Sequence, residues 1–236
     1  MIQSLLRINQ KQIIAAEYIT VLAGFLFYTG ALPTILTDTF GVPSQLFTLM
    51  RYGITLPGLL LILLQPKHIL QQIIHGKYAW FIMLLGMLCF LWSSNPPIPL
   101  GTIRSELLPM ALFSLYVAAR IPLKMQFNLI GLTMKFVSLT SVFYALFLPH
   151  IGVHHEKWPG AWKGLFEHKN QFGGAMTLTT GIFFIEFLKS KEKGPAQILP
   201  MLITLSAAVV SGSMGALILS QVFCILIFAI TLIRWR

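Results

Sequence analysis

Charge is scarce in this sequence. Only 10% of its 236 residues are Asp, Glu, Lys or Arg, against about 25% in a soluble domain. A water-facing fold of this size could not clothe its surface with so few charges, so a soluble globular protein is excluded. Acidic residues are scarcer than basic ones, 7 against 17, which leaves a net charge of +10. An excess of that sign suggests a nucleic-acid binder, whose Lys and Arg gather on one water-facing surface. Here they fall mostly in short stretches between apolar runs, so nucleic acid is not the partner they indicate. Cysteine is nearly absent. Cys89 and Cys224 both lie within apolar runs, and no disulfide framework follows from them. No HExxH or CxxC motif occurs, no internal repeat stands out and no segment is low in complexity.

What is plentiful is hydrocarbon: 56% of the residues are hydrophobic, and the mean hydropathy is +0.77. A spanning helix needs about 20 mostly apolar residues. Runs of that kind lie near 13–36, 46–64, 78–93, 105–119, 134–150, 171–188, 197–211 and 215–233. The sequence therefore predicts an all-α, polytopic transmembrane helix bundle of about eight spans, forming a single integral membrane domain over 1–236. The first run is too long for a signal-peptide core and is followed by no small-residue cleavage site, so it reads as a span. Pro57 and Gly58 predict a kink in the second.

Orientation follows from the basic residues between the spans. With the N-terminus inside, Arg7, Lys11, Lys67, Lys77, Arg120, Lys124, Lys135, Lys189, Lys191, Lys193, Arg234 and Arg236 are cytoplasmic. Arg51, Arg104, Lys157, Lys163 and Lys169 are external. That bias predicts cytoplasmic N- and C-termini. Lys135 is placed on an amphipathic approach, Met125–Lys135, to the fifth span.

The external segment 149–170, PHIGVHHEKWPGAWKGLFEHKN, is the longest connection. It carries His150, His154, His155 and His168, the lysines Lys157, Lys163 and Lys169, and two tryptophans, Trp158 and Trp162. Lysines outside run against the positive-inside trend. A lipid-linked pyrophosphate would want such cations, with N–H groups at the start of the next helix as an anion seat. Aromatic faces beside them suit sugar rings. On the residues alone, interfacial tryptophans and solvated lysines account for the segment as well. His154 and His155 are adjacent and point apart, which does not suit a zinc site, so no metal and no cofactor is expected. Elsewhere, Arg51 lies within the second span with Asp38 as a candidate partner, and Arg104 and Glu106 open the fourth. Either arginine suits a phosphate or snorkels to lipid. Glu186, Lys189 and Lys193 read as a surface ion-pair group.

The run Trp162-Lys163-Gly164-Leu165-Phe166-Glu167-His168-Lys169-Asn170-Gln171-Phe172-Gly173 resembles the W-x-G-x-F-x-H-K-N-x-x-G signature of the O-antigen ligase and exopolysaccharide polymerase superfamily. The context is similar too. A Pro-containing span end at Leu148-Pro149 leads into the loop, and a later span closes on a Ser-x-Ser turn, Ser211-Gly212-Ser213. The resemblance implies a membrane glycosyltransferase of bacterial cell-surface polysaccharide assembly, seated in the cytoplasmic (inner) membrane. Such enzymes take a glycan from an undecaprenyl-pyrophosphate carrier at the outer face and pass it to lipid A core or a growing chain. No metal is implied, since pyrophosphate is already a good leaving group that arginines stabilise. The resemblance covers roughly the N-terminal half of a family protein. The large external loop that carries the family's catalytic Arg and His has no counterpart here, and Met214 stands where many ligases have Arg. A truncated form, or one completed by a partner chain supplying further spans, is therefore expected.

Within that frame, His168, Lys169 and Asn170 are expected to line the site. Lys163 and Arg104 are candidate phosphate contacts, and Trp162 a sugar platform. No catalytic residue is assigned. The expected partners are a lipid-linked glycan and membrane lipids. The competing readings are a transporter or channel for an anionic substrate, and a non-catalytic subunit that binds a lipid-linked glycan. A transporter would more often show paired interrupted helices in two related halves, and the sequence has none.

Overall fold

A computed structural model describes residues 2–43, 45–64, 66–95, 97–190 and 194–234. They are helical almost throughout: α1 (Ile2–Tyr28), α2 (Ala31–Phe40), α3 (Gln45–Leu64), α4 (Pro66–His75), α5 (Lys77–Met87), α6 (Pro97–Thr102), α7 (Leu108–Arg120), α8 (Leu123–Phe147), α9 (Pro149–Gly152), α10 (Lys169–Lys189), α11 (Pro195–Val210) and α12 (Met214–Arg234). A short 3-10 turn extends α5 to Leu91, and a π-turn, Ile103–Leu107, leads into α7. Among the described residues the only extended pairing is one antiparallel bridge, Val153 with Trp162.

One helix, α8, is long and apolar enough to cross a membrane by length and composition, and up to three spans result if two bent helix pairs each count as one. Its 25 residues extend about 37 Å, against a hydrocarbon core of about 30 Å. The expected amphipathic approach at Met125–Lys135 is part of this continuous helix. Of the expected runs, 13–36 is interrupted at Thr29–Gly30, where Gly30 takes a φ of +82° and α1 gives way to α2. The run at 78–93 is helical to Leu91, but meets α4 at a 95° bend. Lys191, Lys193 and Arg236 lie outside the described residues.

The described chain gathers into two compact units. The first comprises Met1–Thr29 and Gly41–Leu129. Its core gathers Val21, Ile69, Phe113, Tyr116, Val117 and Ile121. Gly58 lets α3 approach α7, because a Cβ there would stand 2.6 Å from the Leu112 carbonyl. Glu17 accepts from Arg120 at 2.7 and 3.0 Å. Arg51 pairs with Glu106 at 3.4 Å and donates to the Ser105 carbonyl at 3.1 Å, while Asp38, its candidate partner from sequence, belongs to the other unit.

The second unit comprises Gly30–Phe40 and Ile130–Arg236. Here α10 packs against α8, α11 and α12 through small and hydroxyl-bearing residues. Ser138 and Thr179 share a 2.6 Å hydrogen bond between α8 and α10, and Thr180 and Thr204 a 2.8 Å bond between α10 and α11. Such pairs satisfy hydroxyls internally while bringing helix backbones close, which is how apolar helices associate in lipid. Glu186 pairs with Lys135 across to α8, and of its expected partners Lys193 lies outside the described residues.

Candidate functional site

The segment between α8 and α10 folds back on itself, and its sequence says why. α8 stops at Phe147, and Pro149 opens the short α9. Gly152 then lies directly on the α8 backbone, where a Cβ would meet Ala145 N and the Tyr144 carbonyl carbon at 2.5 Å. Its carbonyl accepts from Lys163 N and Gly164 N, both at 2.9 Å, which ties the two ends of the loop together. Between them Pro159 and Gly160 make the tip. Gly160 has φ +82°, and Ala161 N donates to the Trp158 carbonyl at 3.0 Å. A type II turn requires a positive φ at its third residue, which Gly160 supplies, and favours Pro at its second, here Pro159. Leu165 is fully buried and Phe166 nearly so, and they fasten the far end. Gly164, at φ +56°, fits beside Ser141 and the Phe172 ring.

Folding back places Trp158 at the centre of a cationic cluster. The Lys157 ammonium lies 4.8 Å from its ring centroid and that of Lys169 5.3 Å. His168 and His154 meet the ring edge-on at 4.4 and 5.2 Å, and the two imidazoles are 6.2 Å apart. Indole faces attract cations, so one aromatic residue gathers ammonium groups that would otherwise repel. His168 is the N-cap of α10: its Nδ1 accepts from Asn170 N at 3.2 Å, which leaves the ring proton on Nε2. His154 Nε2 is buried with no hydrogen-bond partner. Burial, then the charges of Lys163, His168, Lys169 and His155, hold the His154 pKa below its ordinary 6.5.

Lys169 does a second thing. Its Nζ donates to the Gly212 carbonyl at 3.2 Å, which joins the start of α10 to the Ser211-Gly212-Ser213 turn before α12. Gly173, one turn further on, fits against the same turn: a Cβ there would meet Ser211 Oγ and Ala216 Cβ at 2.7 Å. Within the turn Ser213 N donates to Ser211 Oγ at 3.2 Å, and Ser213 Oγ accepts from Ala216 N at 3.4 Å. Residues some 40 apart in sequence thus form one structure.

The residues singled out from sequence fall in both units. His168 and Lys169 are half-buried in the cluster, and Asn170 is exposed at the first turn of α10. Lys163 is half-buried and acts on His154. Trp162 turns elsewhere, into an apolar groove of about 270 Å³ lined by Val142, Leu146, Leu202, Ile203, Ala207 and Val210 with Ser206. Arg104 belongs to the first unit, exposed on the π-turn, with its carbonyl accepting from Tyr52 Oη at 2.8 Å. The sequence reading missed the central part of Trp158 and the inward turn of His154. The Pro159-Gly160 pair was the available signal, because a tight turn there folds Trp158 back over the start of α10. His155 instead lies near the Pro149 carbonyl, at 3.1 Å, so the two adjacent histidines have separate surroundings. Among the described residues no group of three His, Cys, Asp or Glu is placed to hold a metal.

Compared with protein-family models, with curated proteins and with solved structures, the chain matches none.

Proposed function

We propose that this is a multi-pass protein of the bacterial cytoplasmic membrane that binds a polyprenyl-pyrophosphate-linked glycan at the outer face and serves its transfer or polymerisation, in the manner of O-antigen ligases and exopolysaccharide polymerases. The reading keeps eight spans with both termini cytoplasmic, which puts the loop outside. One observation carries it: Lys169 of the His-Lys-Asn run bonds the Gly212 carbonyl of the Ser-x-Ser turn. The two features on which the resemblance rests are neighbours in space, as parts of one site should be.

The chemistry around them fits such a donor. Pyrophosphate carries several negative charges, and the loop offers Lys163, Lys169 and the first turn of α10, whose N–H groups point outward. His168 and Asn170 stand at that turn to orient the ligand. Trp162 suits the carrier's hydrocarbon better than a sugar ring, because its surroundings are apolar. Arg104 keeps only its sequence-based role as a phosphate contact. In transfer an acceptor hydroxyl oxygen bonds to the anomeric carbon and releases its proton to water as the bond from that carbon to the pyrophosphate oxygen breaks. Fixed cations stabilise the charge left on the departing pyrophosphate.

The test is binding of polyprenyl pyrophosphate to the chain in nanodiscs. A charge-assisted bond contributes about 1.5–3 kcal/mol, so Lys169→Ala is expected to weaken binding about tenfold to a hundredfold. Lys169→Arg keeps the charge and should lose less, though its planar head differs. Lys157 also borders the Trp158 ring, so the control is Lys189→Ala at the far end of α10, expected to change little. Equal losses at Lys169 and Lys189 that vanish in salt would retire the site.

A further inference from the structure

The amphipathic helix α4 and the bend after it form a feature separate from the loop. Along PKHILQQIIH the apolar residues Ile69, Leu70, Ile73 and Ile74 form one continuous arc, and Lys67, Gln71 and His75 form the other side. The protein covers only half of that arc. Ile69 is 3% exposed and Ile73 packs with it against the core that α7 provides. Leu70 and Ile74, one turn apart, are 57% and 59% exposed. The chain then turns through 95° into α5, so α4 lies crosswise to the apolar helix it feeds.

Charge and aromatic placement say what covers the open half. From Thr39 to Ser105 the sequence contains no Asp or Glu, while Lys67 and Lys77 stand at either end of α4. Lys67 borders the exposed apolar edge, within about 60° of Leu70 on the helix wheel. Its long apolar stem can lie along that edge with the ammonium raised to the phosphate layer. At the bend the Lys77 ammonium lies 5.2 Å from the ring of Tyr78, itself 76% exposed. A Lys–Tyr pair at the foot of an apolar helix is the composition found where lipid meets water.

We propose that α4 is an in-plane anchor that binds the anionic headgroup layer of the membrane, with Leu70 and Ile74 at the acyl boundary and Lys67 and Lys77 on lipid phosphates. At about 15 Å long, a helix lying flat fits within the interfacial layer. The bend at Gly76 then fixes the depth at which α5 begins. Anchoring of this kind is independent of any glycan ligand.

The full chain, with Cys89→Ser and Cys224→Ser, carries single cysteines at 70, 71 or 74 labelled with an environment-sensitive fluorophore. It is reconstituted into phosphatidylcholine vesicles with and without phosphatidylglycerol. Labels at 70 and 74 are expected to be quenched by headgroup-level nitroxide lipids, and the label at 71 by aqueous iodide. Spin-labelled phosphatidylglycerol should be preferred over phosphatidylcholine, and Lys67→Gln and Lys77→Gln should each reduce that preference by up to about fivefold. Iodide quenching at all three positions overturns the proposal, as does quenching of 70 and 74 only by mid-chain nitroxides. So does protection of both from lipid and iodide alike, which would mean that a second copy or another protein covers them.

Discussion

His154 shows how much one side chain can report about its surroundings. Its pKa lies below the ordinary 6.5, because burial and four basic neighbours disfavour the imidazolium. Between the lowered folded value and 6.5 the unfolded chain therefore binds more protons than the folded one, and stability rises with pH. The contribution is complete above about 6.5 and is lost as pH falls through the folded pKa. Protection factors for the amides of residues 153–168, corrected for the intrinsic pH dependence of exchange, should accordingly fall on acidification from neutral pH, and His154→Gln should flatten that dependence. An unchanged slope in the variant would place the titration on another histidine. The buried, unpartnered Nε2 is the atom at stake. A buried polar group without a partner is costly and rare, and an arriving anion that lets the ring take up a proton would relieve it.

At the scale of the helix, α10 sits among partners through hydroxyls and glycines as well as through the fully buried Phe172 and Met176. Replacing Ser138 by Ala removes its 2.6 Å bond to Thr179 and leaves the threonine its bond to the Ala175 carbonyl. Hydrogen bonds between membrane helices average about 0.6 kcal/mol and reach about 1.7, so the loss should fall in that range. Ser138→Val should cost more, because the branched side chain must enter a fully buried, close contact. Reversible unfolding in mixed micelles would measure both, and a Val variant as stable as wild type would mean the helices are not tightly packed there. The hydropathy of the sequence located α10, α11 and α12 to within a few residues, since each is an apolar run ended by a Gly, a Pro or a basic turn. It misplaced the start of α8. Lys124, Gln126 and Lys135 look like an amphipathic approach, but helix formation tolerates polar residues wherever they face out or find a partner, as Lys135 does in Glu186. Partner choice was the least legible feature. Periodicity grouped Glu186 with Lys189 and Lys193, whereas the described structure pairs it with Lys135 of α8, and Lys193 lies outside the described residues.

For the molecule as a whole, the reading rests on which side of the membrane each connection faces. Reporter fusions at Lys157 should be external and fusions after Lys189 cytoplasmic, if the excess of basic residues sets orientation. A cytoplasmic signal at Lys157 would place the loop on the opposite side from the one the proposed function requires. Composition pointed to a membrane, because scarcity of charge is a property of the whole chain, and α8 is long and apolar enough to cross one. Residues of the site were legible as types but not as neighbours. Nothing in the spacing of Lys169 and Gly212 announces their contact, which depends on the packing of α10 between α11 and α12.

The indole of Trp158, with two ammonium groups near its ring and two imidazoles at its edge, is also a chromophore. Excitation moves electron density across an indole, so fixed charges nearby shift the colour of its emission, and imidazoles dim it. Any molecule that draws Lys157 or Lys169 aside, or changes the proton count of the histidines, must alter the light this residue gives off. The loop carries its own optical gauge, readable without a label by comparing the chain with a Trp158→Phe variant.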